Sequence, residues 1–193
     1  QARASLPDEV GGLLWFGVDD AATSALTPIY ACISEVPECF REGNGSMLEY
    51  SPTSAFWLFN RVAQFAYLFY DRAEPEIRAA ADRYENENVA LVAQQDAKAL
   101  RMLESGNRDQ AVRMLTEFCA NRSRTLFDAW NDLSNYLLVK YMDGNVKRQN
   151  EDGSFQDNGS GKPIPASPIQ PKFRERWLRA VVRDHGPVIE IRK

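Results

Sequence analysis

The chain has 193 residues, 44% of them hydrophobic, and a formal net charge of -4 at pH 7. This size and composition suit one compact domain with a core and argue against disorder along the whole length. No apolar run approaches the roughly 18–20 residues that a membrane-spanning helix needs, and the basic residues form no stripe interleaved with aromatics, so we expect neither a membrane nor a nucleic acid as a partner.

The cysteines and the single histidine offer little for a metal site. Cys32, Cys39 and Cys119 show no CxxC spacing, and His185 is the one histidine. A structural zinc site needs about four Cys and His ligands in close pairs, so we expect no bound metal. We interpret Cys32 and Cys119 as small buried hydrophobes within apolar runs, and His185 as a helix C-terminal residue that the helix dipole favours.

The first 50 residues predict two short strands and several turns. Residues 13–18 and 29–34 are short runs of aromatic, β-branched and aliphatic side chains, which is typical of strands. Both faces of the first run are apolar, so we expect this strand to be covered on both sides. Asp19 and Asp20 lie between the runs, where they could bind a cation or a substrate amine, or cap the backbone amides of a turn.

Residues 51–144 predict three helices. Ser51 has the character of an N-cap for the first helix, and Pro75 is placed to start the second one. Asn107 begins a capping box for the third helix, which would run to the end of this region. A helix of that length would be on the order of 50 Å long, and we expect a kink in residues 120–124.

The remainder of the chain predicts an arm and a terminal helix. Residues 145–171 are rich in Gly, Asn, Ser and Pro, which indicates a surface arm that its prolines partly extend. Residues 172–193 predict a short amphipathic helix with Phe173, Trp177 and Val181 turned inward, followed by a terminal edge strand.

Several stretches of the sequence resemble the C-terminal part of the bacterial dipeptidase family of N-terminal-nucleophile cysteine hydrolases, which is related to penicillin V acylase and bile-salt hydrolase. They are SLPDEVGGLLWFGVDD, TPIYACISEVPECF, GNG, TSAFWLFNRVAQFAYLFY and WNDLSNYLLVKYMDGNV, in this order along the chain. The resemblance extends from Gln1 to about Val146. It implies that residues 1–193 are the C-terminal part of one dipeptidase domain. The implied fold class is a mainly helical α+β fragment of a four-layer αββα sandwich, with a short antiparallel strand pair and long helices.

The resemblance also implies a reaction, the hydrolysis of short peptides by a cysteine that becomes the first residue after the precursor cleaves itself. In that chemistry the free α-amino group of the cysteine is the base for its own thiol. Residue 1 here is Gln, and Cys32, Cys39 and Cys119 carry amide nitrogens. The implied nucleophile is therefore upstream of this chain, and we expect the chain alone to be inactive.

Arg3 is the one residue of this chain to which the resemblance gives a site role. In related acylases an arginine after a serine-rich segment lies beside the nucleophile, and Arg3 in QARASLP stands at a similar place. The resemblance thus implies that Arg3 is a catalytic or substrate-orienting residue. A purely structural or surface arginine is the alternative.

The implied partners are a short peptide substrate and the missing N-terminal part of the same protein. No cofactor is implied, and a homo-oligomer stays open. The compartment also stays open between the bacterial cytoplasm and the periplasm or secretion. Two alternative functions remain: a non-catalytic helical interaction module, and an amidase or acylase of the same superfamily.

Overall fold

The structure, a computed structural model, describes residues 2–171 and 173–185. Its elements in chain order are α1 (Asp8–Gly11), β1 (Leu13–Phe16), β2 (Thr27–Tyr30), α2 (Ala55–Glu104), α3 (Arg108–Tyr141) and α4 (Glu175–His185), with short 3-10 helices at Glu38–Phe40 and Met142–Gly144. Helices α2 and α3 have 50 and 34 residues, and β1 and β2 form a two-stranded sheet. The predicted class, a mainly helical α+β chain with a short antiparallel strand pair, is confirmed.

The strands pair antiparallel, with Leu13 opposite Tyr30 and Trp15 opposite Pro28. The second strand was predicted at residues 29–34, so it begins two residues earlier and ends sooner than expected. Proline cannot donate a hydrogen bond to a neighbouring strand, and it is therefore tolerated where one edge of the strand is unpaired. Because β2 has β1 as its one ladder partner among the described residues, Pro28 fits within the strand.

One face of this hairpin is covered and the other is open. Leu13 is 2% exposed and packs into the core, whereas Leu14 is 54% exposed. Phe16 lies on the open face and contacts Phe40 edge to face, with ring centroids 5.0 Å apart. Among the described residues, core side chains of α2 and α3 cover the Leu13 face, and a cover for the Leu14 face stays a prediction.

Helix α2 begins later than predicted and is broken at a different place. Its N-cap position is Ser54, and the Ser51 hydroxyl instead donates to Asn44 Oδ1 at 2.6 Å in the preceding turn. The backbone is non-helical at Phe69 (φ -141°, ψ 58°), and the helix then continues through Pro75. A proline inside a helix cannot donate a hydrogen bond to the carbonyl four residues earlier, and its ring crowds that carbonyl. The distortion therefore lies before Pro75 and not at Pro75 itself.

Helix α3 is assigned without interruption from Arg108 to Tyr141, and the kink expected in residues 120–124 stays a prediction. Its inner face meets α2 and the hairpin in one apolar core. The buried members of the main cluster are Val10, Leu13, Tyr30, Val92, Ala99, Ala111, Leu115 and Cys119. Further along the same helices, the Trp130 ring stacks on Phe59 at 5.0 Å. Within the described part of the chain, no helix is long and apolar enough to cross a bilayer.

The chain divides into two compact units, residues 1–138 and 139–193. In the second unit Val146 and Ile169 exchange two backbone hydrogen bonds of 2.8 Å, so the predicted arm folds back on itself. The Trp177 side chain in α4 is 50% exposed, and Phe173, just before α4, is 63% exposed. Their predicted inward placement is therefore wrong. The predicted terminal strand lies outside the described residues, and the single-domain interpretation of the whole chain stays a prediction.

Candidate functional site

The N-terminal segment positions Arg3 by a tight backbone turn. The Arg3 N–H donates to the Gly11 carbonyl at 2.9 Å, and the Leu6 N–H donates to the Arg3 carbonyl at 2.9 Å. A β-carbon at Gly11 would lie 3.3 Å from the carbonyl oxygens of both Arg3 and Leu6, which is tighter than ordinary contact. Glycine at position 11 thus permits the turn that brings the Arg3 side chain to α2.

The Arg3 guanidinium forms a two-pronged ion pair with Asp96 of α2. Its Nη1 donates to Asp96 Oδ2, and its Nη2 donates to Asp96 Oδ1 at 3.2 Å and to the Val10 carbonyl. The side chains of Arg3 and Asp96 are 23% and 16% exposed. Paired hydrogen bonds between a guanidinium and a carboxylate are strong and directional, so this contact fixes the start of the chain against α2.

Tyr30 of β2 completes this group, which we call the Arg3 cluster (Arg3, Tyr30 and Asp96). The Tyr30 hydroxyl donates to Asp96 Oδ1 at 2.6 Å, and the Val92 carbonyl lies 3.4 Å from the same hydroxyl. Burial, reinforced by the Asp96 carboxylate, raises the pKa of Tyr30, while the hydrogen bond to Asp96 raises the pKa of Arg3. Tyr30 is therefore a neutral donor, and the Arg3 cluster joins β2, α2 and the N-terminal segment.

The geometry of the Arg3 cluster bears on both interpretations of Arg3. Both terminal nitrogens of the guanidinium have partners within the chain, and Nε is buried with no hydrogen-bond partner among the described residues. A structural role is thus visible in the contacts. A catalytic or substrate-orienting role for Arg3 stays a prediction.

The aspartates between the strands form a turn. The Asp20 Oδ1 accepts a hydrogen bond of 2.9 Å from the Ala22 N–H, and Asp19 has a φ of 68°. The Tyr67 hydroxyl donates to Asp20 Oδ2 over 3.4 Å. Burial raises the pKa of Asp19. The interpretation of these residues as a turn that caps a backbone amide is confirmed for Asp20.

The cysteines are free and poorly suited to nucleophilic attack. Burial raises the pKa of the Cys39 thiol to about 12 and that of Cys119 to about 11, and it raises the pKa of Cys32 as well. Since the thiolate is the reactive form, burial disfavours nucleophilic attack by all three thiols. Cys119 is fully buried, as predicted, and its sulfur accepts a 3.4 Å hydrogen bond from the Tyr30 N–H. Cys32 is only partly buried.

A cleft that no sequence pattern predicted lies between the segment after β2 and the middle of α3. Residues 35–39, Arg41, Thr53 and the α3 residues Thr116, Glu117, Ala120, Ser123, Arg124 and Phe127 line this cleft of about 450 Å³. The Ser123 hydroxyl oxygen is buried and has no hydrogen-bond partner among the described residues. In residues 2–171 and 173–185, no three His, Cys, Asp or Glu side chains converge as a metal site requires.

Comparison with known proteins found a family model that matches the first part of the chain. The model of Peptidase family C69 matches residues 1–83. The C69 segment, as we call residues 1–83, contains Arg3, Tyr30 and the hairpin, whereas Asp96 lies beyond it. The resemblance proposed above for residues 130–146 also lies beyond the matched range.

A curated relative gives a second, shorter similarity. The chain is 33% identical over 58 residues to a probable dipeptidase B from Lactococcus lactis subsp. lactis (strain IL1403). This alignment covers 30% of the chain and 12% of the lactococcal protein, so it concerns a small part of that relative. No solved structure matches the chain.

Two members of the Arg3 cluster were not predicted as site residues. Tyr30 lies in a predicted strand, and Asp96 was not singled out. A signal for Asp96 is present in the sequence, because it lies four residues after Val92 and three before Ala99, both of which are buried. A carboxylate in such an apolar stripe requires a buried cationic or hydrogen-bonding partner.

Proposed function

We propose that this chain is part of a dipeptidase of family C69, and that the whole protein hydrolyses short peptides. The match of the C69 family model to residues 1–83 carries this proposal. The similarity to a probable dipeptidase B supports a dipeptide substrate class, although it covers only 12% of that relative. The parent enzyme is thus proposed to be a peptidase that cleaves amide bonds.

In the proposed mechanism the nucleophile is an N-terminal cysteine that lies outside this chain. Its free α-amino group takes the thiol proton, and the thiolate attacks the scissile carbonyl. The resulting α-ammonium then gives that proton to the nitrogen of the leaving amine, and the acyl group stays on the sulfur as a thioester. Hydrogen-bond donors stabilise the oxyanion of the tetrahedral intermediate, and water then hydrolyses the thioester. The amide nitrogens and raised thiol pKa values of Cys32, Cys39 and Cys119 support placing this role elsewhere in the protein.

The open face of the hairpin is the proposed contact with the rest of the enzyme. Leu14 and Phe16 expose aromatic and aliphatic surface on a strand whose other face is buried. Apolar surface on both sides of a strand is typical of a sheet enclosed between layers. We therefore propose that a second layer of the parent peptidase covers Leu14 and Phe16.

Arg3 enters the proposal as a substrate-orienting residue supported by Asp96. One double variant separates this role from the structural one. Arg3→Met combined with Asp96→Leu replaces the ion pair by apolar side chains, which conserves stability when packing is adequate. If Arg3 orients the substrate, the double variant of the whole protein folds but loses at least about tenfold in kcat/KM. Full activity in a stable double variant would leave Arg3 with a structural role only.

The decisive experiment is dipeptide hydrolysis by the full-length protein. We expect turnover that survives a metal chelator and is abolished when the proposed N-terminal cysteine is changed to Ala. Cys32→Ala is the matched control, because the Cys32 thiol is protonated near neutral pH, and we expect it to retain activity. Hydrolysis that persists without the N-terminal cysteine would refute the mechanism. A folded protein with no activity on any dipeptide, but with activity on other amides, would favour the acylase alternative.

A further inference from the structure

The C-terminal end of the chain differs sharply in charge from the rest. Residues 172–193 contain seven Lys and Arg against three Asp and Glu, whereas residues 1–171 contain 16 Lys and Arg against 24 Asp and Glu. The end segment is thus basic within an acidic protein. Such an asymmetry is typical of a segment that meets a negatively charged partner.

Helix α4 arranges this charge on one side. Arg176, Arg179 and Arg183 recur at spacings of three and four residues, and together with Ala180 they line one shallow surface depression. Arg179 pairs with Glu175 at 2.6 Å, and Arg183 pairs with Asp184 at 2.8 Å. Exposed ion pairs of this kind are weak, so they can be exchanged for contacts with a partner.

Another side of the same helix is apolar and uncovered. Trp177, Leu178 and Val182 are 50%, 46% and 60% exposed. The Phe173 ring stacks on Trp177 with centroids 4.5 Å apart, which makes a flat aromatic surface at the start of the helix. Bulky apolar side chains beside an arginine stripe give α4 the composition of a helix that lies at a polar–apolar boundary.

Length and charge together select the partner. An 11-residue helix is about 16 Å long, which is about half the thickness of a bilayer core, so α4 is too short to span one. Tryptophan favours the membrane–water interface, and arginine favours lipid phosphates. We propose that α4 binds the surface of a bilayer containing anionic phospholipid. Trp177, Leu178 and Val182 enter the interface, and Arg176, Arg179 and Arg183 contact the headgroups.

This proposal replaces the expectation that no membrane is a partner, and it does not depend on peptidase activity. The arginines and the apolar residues all lie along one short exposed helix. Charge complementarity with anionic lipid needs no matching groove for this helix, which favours lipid over an acidic protein as the partner. The acidic remainder of the chain opposes binding only at close range, since physiological salt screens charges beyond about 8 Å.

The first test measures sedimentation of the whole chain with vesicles. We expect binding to phosphatidylcholine vesicles that contain phosphatidylglycerol, weaker binding as salt rises, and little binding to phosphatidylcholine alone. Each arginine near an anionic surface contributes about fivefold, so the triple variant Arg176→Glu, Arg179→Glu and Arg183→Glu should bind more than about a hundredfold more weakly. The triple variant Arg72→Glu, Arg101→Glu and Arg113→Glu is the control, because it changes net charge equally on exposed positions of α2 and α3.

The second test addresses the apolar side. Trp177→Ala should weaken binding to the same vesicles at least about tenfold, whereas Tyr70→Ala, which removes another half-exposed aromatic ring, should not. Circular dichroism with and without vesicles checks that each variant is folded. Equal binding to both vesicle types, or equal losses in the two triple variants, would overturn the proposal. So would the absence of vesicle binding together with an α4-dependent dimer or acidic protein complex on gel filtration.

Discussion

Two aspartate–tyrosine contacts in this protein have the same chemistry but different surroundings. In the Arg3 cluster, Asp96 accepts a hydrogen bond of 2.6 Å from the Tyr30 hydroxyl beside the Arg3 guanidinium. The Asp96 side chain is mostly buried. In the hairpin turn, Asp20 accepts a hydrogen bond of 3.4 Å from the exposed Tyr67 hydroxyl. Burial and a charged partner make the first contact part of the fold, whereas water competes with the second.

The largest expected effect is that of Asp96→Ala. This change leaves the Arg3 guanidinium without its counter-ion and the Tyr30 hydroxyl without its acceptor, so the free energy of unfolding should fall by about 2–3 kcal/mol. Urea denaturation measures this difference. Asp128→Ala, at an exposed position of α3, is the control and should change stability by less than about 0.5 kcal/mol. Equal effects of the two variants would mean that the Arg3 cluster is not an important contact in solution.

The tyrosines separate the two contacts more finely. Tyr30→Phe removes the hydroxyl that donates to a buried carboxylate and should cost about 1–2 kcal/mol of unfolding free energy. Tyr67→Phe removes a long, exposed contact and should cost less than about 0.5 kcal/mol. The two variants are compared by denaturant midpoint under identical conditions. A larger loss for Tyr67→Phe would reverse the comparison.

Asp20→Ala should have a smaller effect than either change in the Arg3 cluster. It removes the acceptor for the Ala22 N–H in the turn, and we expect a loss of about 0.5–1 kcal/mol. Asp20→Asn retains an acceptor oxygen and should restore most of this loss. If Asp20→Asn is as unstable as Asp20→Ala, the charge of Asp20 matters and not its hydrogen bond to the turn.

Asp19→Asn should have the smallest effect, and its sign depends on pH. Burial raises the pKa of Asp19 in the folded state. The folded protein therefore retains a proton that the unfolded chain has lost, and stability falls as pH rises from the unfolded pKa through the folded one. Asp19→Asn avoids this loss, and asparagine also tolerates the positive φ of 68°.

We thus expect Asp19→Asn to stabilise the protein by less than about 0.5 kcal/mol at pH 7 and to give no advantage near pH 3. Thermal midpoints of the variant and the parent at the two pH values measure the difference. An advantage that is the same at both pH values would assign the effect to the backbone conformation alone.

Local patterns predicted the types of element better than their limits. Short bounded apolar runs identified the two strands, and 3.6-residue apolar periods identified the long helices, because these patterns follow from backbone geometry alone. The Ser51 cap was wrong, since the hydroxyl found a partner in Asn44 of the neighbouring turn. The helix break lies at Phe69, before Pro75. Which residue before a proline becomes non-helical depends on tertiary packing, and a short stretch of sequence does not contain that information.

The sequence by itself determined the helical character and the resemblance to a peptidase family, and it offered the turn role of Asp20 as one of several interpretations. Only the tertiary structure showed that Arg3 pairs with Asp96, which is 93 residues away along the chain. It alone also showed that the Leu14 face is open and that α4 exposes its apolar side. Local propensity depends on neighbours within a few residues, whereas ion pairing and burial depend on which distant segments share the core, and a single sequence does not specify those distances.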